Sequence, residues 1–327
     1  MRRRDLIGIG GSAGGIPAMM DLLKSFDPQS DASVFVVIHR SNESQLLKSI
    51  IERVSRLEVC EPQDCEPIRP NCLYLARPDR HMMIGEDRIH LRMGPKENGF
   101  RPAIDPLFRS LAVYGSTRAV GVVLSGYLDD GAAGARAIAG NGGLVLVQDP
   151  SDAMSPDMPR AAISAVGEPD AILGAVELGE HMSRIVAEEA GPHRQAAREV
   201  ELEMKIAGLE KASMASEESL GDLTPYNCPD CNGVLWEIED GPMVRYRCHT
   251  GHAYTSRTLE KRQDEMLERN LYDSLRACRE RAHFVRDLAD RDTVNQNRWM
   301  ERAEGYERDC ALLESLIKDR SPTIPAD

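Results

Sequence analysis

Short apolar runs alternate with helical patterns from the start of the chain. Residues 5–10 (DLIGIG) and 34–39 (VFVVIH) are rich in β-branched residues, and glycine or polar positions follow each run, which is typical of fully buried strands. Between them, residues 16–25 (IPAMMDLLKS) carry apolar side chains at helical spacing. This pattern predicts a β-α-β unit.

The alternation continues to about residue 190. We expect helices over 44–56, 105–114, 131–140 and 178–190, strands over 72–76, 119–125, 143–148 and 171–176, and a hairpin over 81–93. Strands that alternate with helices predict an α/β fold, doubly wound around a mostly parallel sheet. We therefore assign residues 1–190 to one α/β domain.

The rest of the chain has a different pattern. Residues 191–222 lack strand signals and are rich in Ala, Glu and Ser, so they indicate a linker. Residues 223–255 contain a predicted hairpin, VLWEIEDGPMVRYR, and residues 256–320 are charged with apolar positions three and four apart. The last segment predicts an antiparallel helical hairpin that breaks near Asp290–Thr293, and we expect this tail to serve docking or homo-oligomer formation.

Composition narrows the class of protein. No apolar run approaches the roughly 20 residues that a membrane-spanning helix needs, and Pro17 interrupts the segment that would form the core of a signal peptide. We therefore expect a cytoplasmic protein without membrane insertion. The formal net charge of −13 argues against nucleic acid as a partner, since clustered Lys and Arg supply most of that affinity.

The glycine-rich segment IGIGGSAGG, residues 7–15, fits two motifs. Its first glycines match the G-x-G-x-x-G/A pattern of dinucleotide sites, and the glycines around Ser12 match the G-x-S-x-G nucleophile elbow. A dinucleotide site also expects an acidic residue after the second strand, where this chain has His39 and Arg40. Because Arg40 suits a 2′-phosphate, an NADP-dependent oxidoreductase stays open as an alternative.

Three reactive side chains follow predicted strands. Ser12 comes after the first strand, His39 ends the second, and Asp130 lies in the loop after strand 119–125. The carboxyl ends of parallel strands meet at one edge of a sheet. A serine nucleophile needs an imidazole to take its proton and a carboxylate to orient that imidazole, so the three residues supply each role once.

Three of the eight cysteines cluster with histidine in a pattern typical of zinc sites. CPDC holds Cys228 and Cys231, and CHTGH holds Cys248, His249 and His252, with the predicted hairpin between them. We choose His252 as the fourth ligand because His249 would have to fold back directly after Cys248. Four protein ligands leave no open position, so the sequence predicts a structural zinc ion.

Six ordered blocks resemble the catalytic domain, called CheB, of the chemotaxis-receptor protein-glutamate methylesterases. They are IGGSAGG, VVIHRS, CLYLARPDRHMMI, RPAIDPLFRSLA, VGVVLSGYLDDGAAG and VLVQDPSDAMSPDMPRAAI, and they cover about residues 4–188. The resemblance implies hydrolysis of glutamate γ-methyl esters on a receptor, often with glutamine deamidation. It also implies no catalytic cofactor, and a methyltransferase or histidine kinase as further partners.

The resemblance implies the site residues as well. Ser12 would be the nucleophile, His39 the base and Asp130 the orienting carboxylate, chosen over Asp129 because it directly precedes Gly131 as the family aspartate does. Ala13 and Tyr127 replace the Thr and Met that the family usually has, and their backbone amides are candidate oxyanion donors.

Two further residues in the family blocks have open roles. Arg101 is a candidate for a substrate carboxylate or a loop-anchoring ion pair, and His81 is a cleft or structural histidine. Typical members also carry an N-terminal receiver domain, which we do not find before these blocks, so we expect regulation without phosphorylation in cis. A non-catalytic adaptor, built on the esterase scaffold and binding partners through the zinc and helical module, stays open as an alternative.

Overall fold

Seven parallel strands form the central sheet of the computed structural model, which describes residues 3–27, 31–39, 46–209 and 221–319. The strand order is β10-β9-β8-β1-β2-β5-β3, and a smaller antiparallel sheet has the order β4-β7-β6. The strands of these two sheets are β1 (Leu6–Gly11), β2 (Ser33–Ile38), β3 (Glu58–Cys60), β4 (Glu66–Pro67), β5 (Cys72–Leu75), β6 (His81–Ile84), β7 (Arg88–Arg92), β8 (Ala119–Val123), β9 (Leu144–Gln148) and β10 (Ala171–Leu173).

Helices cover both faces of the central sheet, as the alternating sequence pattern predicts. They are α1 (Gly15–Ser25), α2 (Leu47–Glu52), α3 (Ile104–Ser110), α4 (Ala132–Gly140), α5 (Asp157–Val166) and α6 (Ala175–Ile185). Two apolar clusters result, one on each face of the sheet. The α/β fold class predicted from sequence is therefore confirmed.

The glycines of β1 allow a helix to pack directly on the sheet. A Cβ atom at Gly8 would lie 2.4 Å from Leu111 Cδ1, and one at Gly10 would lie 2.5 Å from Ile104 Cγ2. These contacts lie on the face that α3 and the turn after it cover, whereas Ile7 and Ile9 point into the cluster on the other face. Close packing thus accounts for the G-x-G spacing without a phosphate.

A second antiparallel sheet, of four strands and here called the second sheet, lies in the same compact unit, Met1–Leu259. Helix α7 (Arg198–Ala207) precedes it, within the segment assigned to the linker, of which residues 210–220 lie outside the described residues. The sheet is antiparallel in the order β11-β12-β13-β14. Its strands are β11 (Asp222–Asn227), β12 (Val234–Asp240), β13 (Met243–Cys248) and β14 (Ala253–Thr255).

The other unit begins at Glu260, and its described residues, which end at Asp319, are mainly helical. Helix α8 (Ser256–Arg291) supplies its first part, and α9 (Gln296–Asp319) runs back antiparallel. Ion pairs Arg279–Glu314 (2.7 Å) and Arg286–Glu307 (2.6 Å) join the two helices, and the chain reverses close to the expected break at Asp290–Thr293. No helix in the described part of the chain is long and apolar enough to cross a membrane.

Several elements differ from the sequence prediction. Helix α5 and the short strands β3 and β4 were not expected, and the helix predicted over 178–190 begins earlier, at Ala175, and ends at Ile185. Helix α5 follows the polar segment DPSDAMSP, whose prolines and aspartates indicate a loop by composition. Packing of Met158 and Ala162 into the core stabilises the helix. These are tertiary contacts, which the local sequence does not indicate.

Candidate active site

The three candidate catalytic residues follow three neighbouring strands, β8, β1 and β2. In the register of the sheet, Gly11 lies opposite Ile38, so Ser12 and His39 are the next residues on adjacent strands. The backbone N–H of His39 donates to the Gly11 carbonyl (3.0 Å), and that of Ser12 donates to the Ser125 carbonyl in the loop after β8 (2.9 Å). The sheet therefore brings both loops to one edge.

His39 lies between Asp130 and Phe100. Its Nε2–H donates to Asp130 Oδ2 at 2.8 Å, and the side chain is only 3% exposed. The Phe100 ring stacks on the imidazole, with ring centroids 3.6 Å apart and planes within 10°. Within the described residues, the Nδ1 atom of His39 is buried and has no hydrogen-bond partner. A buried ring nitrogen of this kind is available to a nucleophile or a substrate.

The Asp130 carboxylate accepts four hydrogen bonds. Oδ2 accepts hydrogen bonds from His39 Nε2 and from the Ile104 backbone N–H (2.7 Å). Oδ1 accepts them from Asn98 Nδ2 (3.0 Å) and from the Asp105 backbone N–H (3.3 Å). Burial alone would raise the pKa of Asp130, but the bond from His39 and these other donors outweigh it and lower the pKa. Asp130 is therefore held as an anion beside the imidazole.

Asp105, at the start of α3, shares Asn98 with Asp130. Its carboxylate accepts Asn98 Nδ2 (3.0 Å) and the Gly134 N–H (2.7 Å). Burial and the negative charge of Asp130 raise the pKa of Asp105 to about 7. The two neighbouring carboxyl groups thus have separated pKa values, and Asp130 is the one that ionises first.

Ser12 lies in the turn between β1 and α1. Gly14 at the end of this turn has φ +73°, a left-handed conformation that glycine adopts without strain, and α1 begins at the next residue. A Cβ atom at Gly126 would lie 2.9 Å from Ser12 Cβ, so the loop after β8 passes directly beside the serine. The first-turn amides of α1 also place positive potential at this turn.

Asp129, the neighbouring carboxylate, faces the second sheet. Its Oδ1 accepts the hydroxyls of Thr255 (2.7 Å) and Thr258 (2.9 Å), and the side chain is buried. The structure therefore places Asp130 against His39, whereas Asp129 lies against Thr255 and Thr258.

The other candidate residues divide between the rim and the supporting loop. Tyr127 is 62% exposed beside the site. Ala13 lies next to Ser12, and its carbonyl accepts the Ser125 hydroxyl (2.7 Å). Arg101 bonds Asp79 (2.7 Å) and the Gly94 carbonyl (2.7 Å), which is the loop-anchoring alternative.

His81 is fully buried and holds the two ends of one loop. Its Nε2 bonds the Pro95 carbonyl (2.8 Å) and its Nδ1 accepts the Ala103 N–H (3.2 Å). This is the structural alternative for His81, and it leaves no ring nitrogen for a substrate. Arg40, which the dinucleotide alternative needs, lies outside the described residues.

Asn98 and Phe100 touch the candidate triad and were missed in the sequence. Both lie in the loop that His81 anchors, directly before the block RPAID. The dipeptide Asn-Gly in this segment indicates a turn, but no residue pattern indicates that the turn lies against Asp130. The sequence could indicate that this loop belongs to the candidate active site only if the positions of the surrounding strands were already known.

The four predicted metal ligands come together in the second sheet. Cys231 and Cys248 Sγ atoms are 3.6 Å apart, and His252 Nδ1 lies 3.6 Å from Cys248 Sγ and 3.7 Å from Cys228 Sγ. A tetrahedral zinc ion with bonds of about 2.3 Å needs ligand separations of roughly 3.8 Å. The donor set and its spacing fit zinc, and His252, rather than His249, belongs to the cluster.

Comparisons with known proteins match the first part of the chain. The CheB methylesterase family model covers residues 7–182. A protein named protein-glutamate methylesterase/protein-glutamine glutaminase from Maricaulis maris is 33% identical over 187 residues, which are 56% of this chain and 46% of that protein. A putative enzyme of the same name from Leptospira interrogans is 33% identical over 184 residues, 55% of this chain and 94% of that one.

A solved structure agrees with these matches. The crystal structure of the Thermotoga maritima CheB methylesterase catalytic domain superposes with a TM-score of 0.54 at 26% identity, covering 57% of this chain and all of that one. This chain therefore spans about half the length of the Maricaulis relative and nearly all of the Leptospira one. With more than half of its residues matched by the family model, the chain belongs to the CheB methylesterase family.

Proposed function

We propose that this protein is a serine hydrolase that removes methyl groups from glutamate γ-methyl esters of a chemoreceptor-like protein. The observation that carries the proposal is the buried His39–Asp130 pair beside Ser12, at the edge of the sheet where three neighbouring strands end. The relatives' names supply the substrate class and add glutamine deamidation as a second activity. A methyltransferase or histidine kinase of the same signalling system is the expected further partner.

In the proposed first step, Ser12 Oγ attacks the γ-carbonyl carbon of the methyl ester. His39 Nδ1 takes the serine proton, and the Asp130 carboxylate stabilises the resulting imidazolium through Nε2. The tetrahedral intermediate then collapses, its C–O bond to the methoxy group breaks, and His39 returns the proton to release methanol. The product is a γ-glutamyl ester of Ser12.

In the second step, water attacks the same carbonyl carbon while His39 takes a proton from it. The Ser12 ester breaks, the serine regains its proton, and the substrate leaves as a free glutamate side chain. Backbone amides of Ala13 and Tyr127 are the proposed donors to the oxyanion in both steps, supported by the position of Ala13 in the turn directly before α1 and by the loop that passes beside Ser12. The exposed Tyr127 ring is accessible to a protein substrate.

Labelling by a fluorophosphonate tests the nucleophile. We expect wild-type protein to react at Ser12 and Ser12→Ala to lose the label, with Ser151→Ala, an exposed serine whose contacts stay local, as the matched control. Mass spectrometry of the labelled peptide identifies the site. A folded wild type that does not label would instead favour the non-catalytic adaptor.

The cluster of Cys228, Cys231, Cys248 and His252 would hold a structural zinc ion. Its support is the tetrahedral spacing of four donors and the burial of two of the thiols. We expect metal analysis to find about one zinc ion per chain, and Cys231→Ser to reduce that content. A Cys278→Ser variant controls for the loss of a thiol elsewhere.

A further inference from the structure

Strand β14 lies between the metal-ligand cluster and the aspartate side of the active site. Successive side chains of a strand point to opposite faces. The Tyr254 hydroxyl contacts Cys228 Sγ (3.1 Å) and donates to Asp230 Oδ2 (2.6 Å), so this residue faces the metal ligands. Thr255 faces the other way, toward the loop that carries Asp129 and Asp130.

Thr255 makes two contacts with the catalytic region. Its hydroxyl donates to Asp129 Oδ1 (2.7 Å), and its backbone N–H donates to Asn98 Oδ1 (3.2 Å). The hydroxyl also accepts the Thr258 N–H (3.1 Å), and Thr258 donates its own hydroxyl to Asp129 (2.9 Å). Thr255, Thr258, Asn98 and Asp129 are all buried, so water does not compete for these bonds.

The bond from Thr255 sets the orientation of the Asn98 amide. A backbone N–H can only donate, so it requires the carbonyl oxygen of Asn98, and the NH₂ group must then face the other side. There it donates one hydrogen to Asp130 Oδ1 and one to Asp105 Oδ2, each at 3.0 Å. The amide thus connects β14 to the carboxylate that orients His39.

Asn98 lies in the loop between Pro95 and Ala103, and Phe100 of this loop stacks on His39. The second sheet binds the backbone of the same loop. Asn98 N–H donates to the Ala253 carbonyl (2.8 Å), and Ala253 N–H donates to the Lys96 carbonyl (3.3 Å). The buried Glu97 carboxylate pairs with Arg247 of β13 (3.2 Å) and with Arg109 of α3. Backbone hydrogen bonds and buried ion pairs therefore fix this loop between the second sheet and helix α3.

We infer that the metal-ligand module, residues 221–259, clamps the aspartate side of the active site, with Thr255 and Asn98 as positioning residues. The inference rests on the proposed function, because it assigns these residues to the geometry of the Ser12, His39 and Asp130 site. The module orients Asp130 through Asn98 and holds Asp129, its neighbour in the chain, through Thr255. Neither residue touches the reacting atoms.

Thr255→Val tests the clamp, because it removes the hydroxyl and keeps the shape of the side chain. We expect the rate of Ser12 labelling and the kcat for ester hydrolysis to fall at least about fivefold with KM unchanged, since the lost bond goes to a buried carboxylate. Thr255→Ser keeps the hydroxyl and should restore the wild-type rate. Thr224→Val is the matched control, since its hydroxyl bonds, among the described residues, the Leu235 carbonyl and the Tyr226 N–H, both within the module.

Two further measurements keep the test decisive if Thr255→Val fails to fold. Thr258→Val removes the second hydroxyl on Asp129 and leaves the bond from the Thr258 N–H to the Thr255 hydroxyl in place, so it should lower the labelling rate in the same direction. Removal of the metal from the full chain with a chelator should lower the rate, and added Zn²⁺ should restore it. Hydrogen exchange should then be faster in the backbone of residues 96–105 and 127–131.

The outcomes separate this inference from the proposed function. If wild type labels and hydrolyses esters, but Thr255→Val, Thr258→Val and the metal-stripped chain all match it within about twofold, the clamp is wrong and the hydrolase stands. If wild type shows no hydrolase activity, the proposed function fails. Hydrogen exchange then decides the clamp alone: unchanged exchange at 96–105 and 127–131 on metal removal overturns it.

Discussion

Asp130→Asn is the substitution that most directly perturbs the proposed catalytic geometry. The native carboxylate accepts two hydrogen bonds at each oxygen, and all four partners are donors. An asparagine has one oxygen and one NH₂ group, so either orientation of its amide places a donor against two donors. The least disruptive orientation keeps the oxygen toward His39 and Ile104 and turns the NH₂ group toward Asn98 and Asp105.

The expected loss follows from these contacts. Removing the negative charge leaves the His39 imidazolium without its stabilising partner, and in serine hydrolases this change lowers kcat by about 10⁴-fold, or roughly 5 kcal/mol of activation free energy. The two opposed donors on the Asn98 side add about 1–3 kcal/mol of destabilisation each, which reduces the free energy of unfolding rather than kcat. We therefore expect a protein that is less stable but folded, with kcat lower by about 10³- to 10⁴-fold.

Initial rates on a chromogenic ester, together with urea unfolding, separate these two effects. Asp129→Asn is the matched control, because an asparagine oxygen can still accept the hydroxyls of Thr255 and Thr258, and we expect its kcat to change by less than about tenfold. The reasoning is refuted if Asp130→Asn keeps kcat within about tenfold of wild type, or if Asp129→Asn shows the larger loss.

Three other substitutions probe the surroundings of the site. Gly126→Ala adds a methyl group that overlaps Met158 Sδ and lies 2.9 Å from Ser12 Cβ, so Met158 and the loop beside the serine must shift, and kcat should fall about 100-fold. Gly140→Ala, with no neighbouring atom within 4 Å of the added methyl group, should leave kcat unchanged; steady-state rates decide. Asp105 binds its proton more tightly when folded, with a pKa of about 7 against an ordinary value of 3.8. The free energy of unfolding should therefore fall as pH rises from about 4 to about 7, and pH-dependent unfolding of Asp105→Asn should lack this contribution. Glu203 of α7 is a buried carboxylate that pairs with Arg109 (3.2 Å) and Arg245 (2.8 Å). Glu203→Gln removes its charge and should lower the free energy of unfolding by about 3–5 kcal/mol in urea titrations. A change below about 1 kcal/mol would contradict that expectation.

The candidate catalytic residues could be predicted from the sequence because their positions follow from the order of strands and helices. Buried strands alternate with helices, so the sequence alone predicts Ser12, His39 and Asp130 at one edge of the sheet, and they follow neighbouring strands in the structure. The metal-ligand spacing was equally informative, because two short Cys and His loops joined by a hairpin present their ligands on one side.

Contacts between distant segments could not be predicted in this way. Thr255 lies 157 residues after Asn98, and nothing in its local sequence, HAYTSRT, distinguishes it from the start of any charged helix. Its role depends on the second sheet packing against the loop before α3, which periodicity does not report. The same holds for Phe100, whose stacking on His39 depends on a loop conformation that local propensity does not determine.

Release of methanol from the methylated cytoplasmic domain of a chemoreceptor tests the central claim most directly. Wild-type protein should release methanol in proportion to the glutamate side chains that it restores, and Ser12→Ala should release none above the background of the receptor alone. Equal release by wild type and Ser12→Ala would contradict the account, because hydrolysis would then not depend on the serine that the sheet places beside His39.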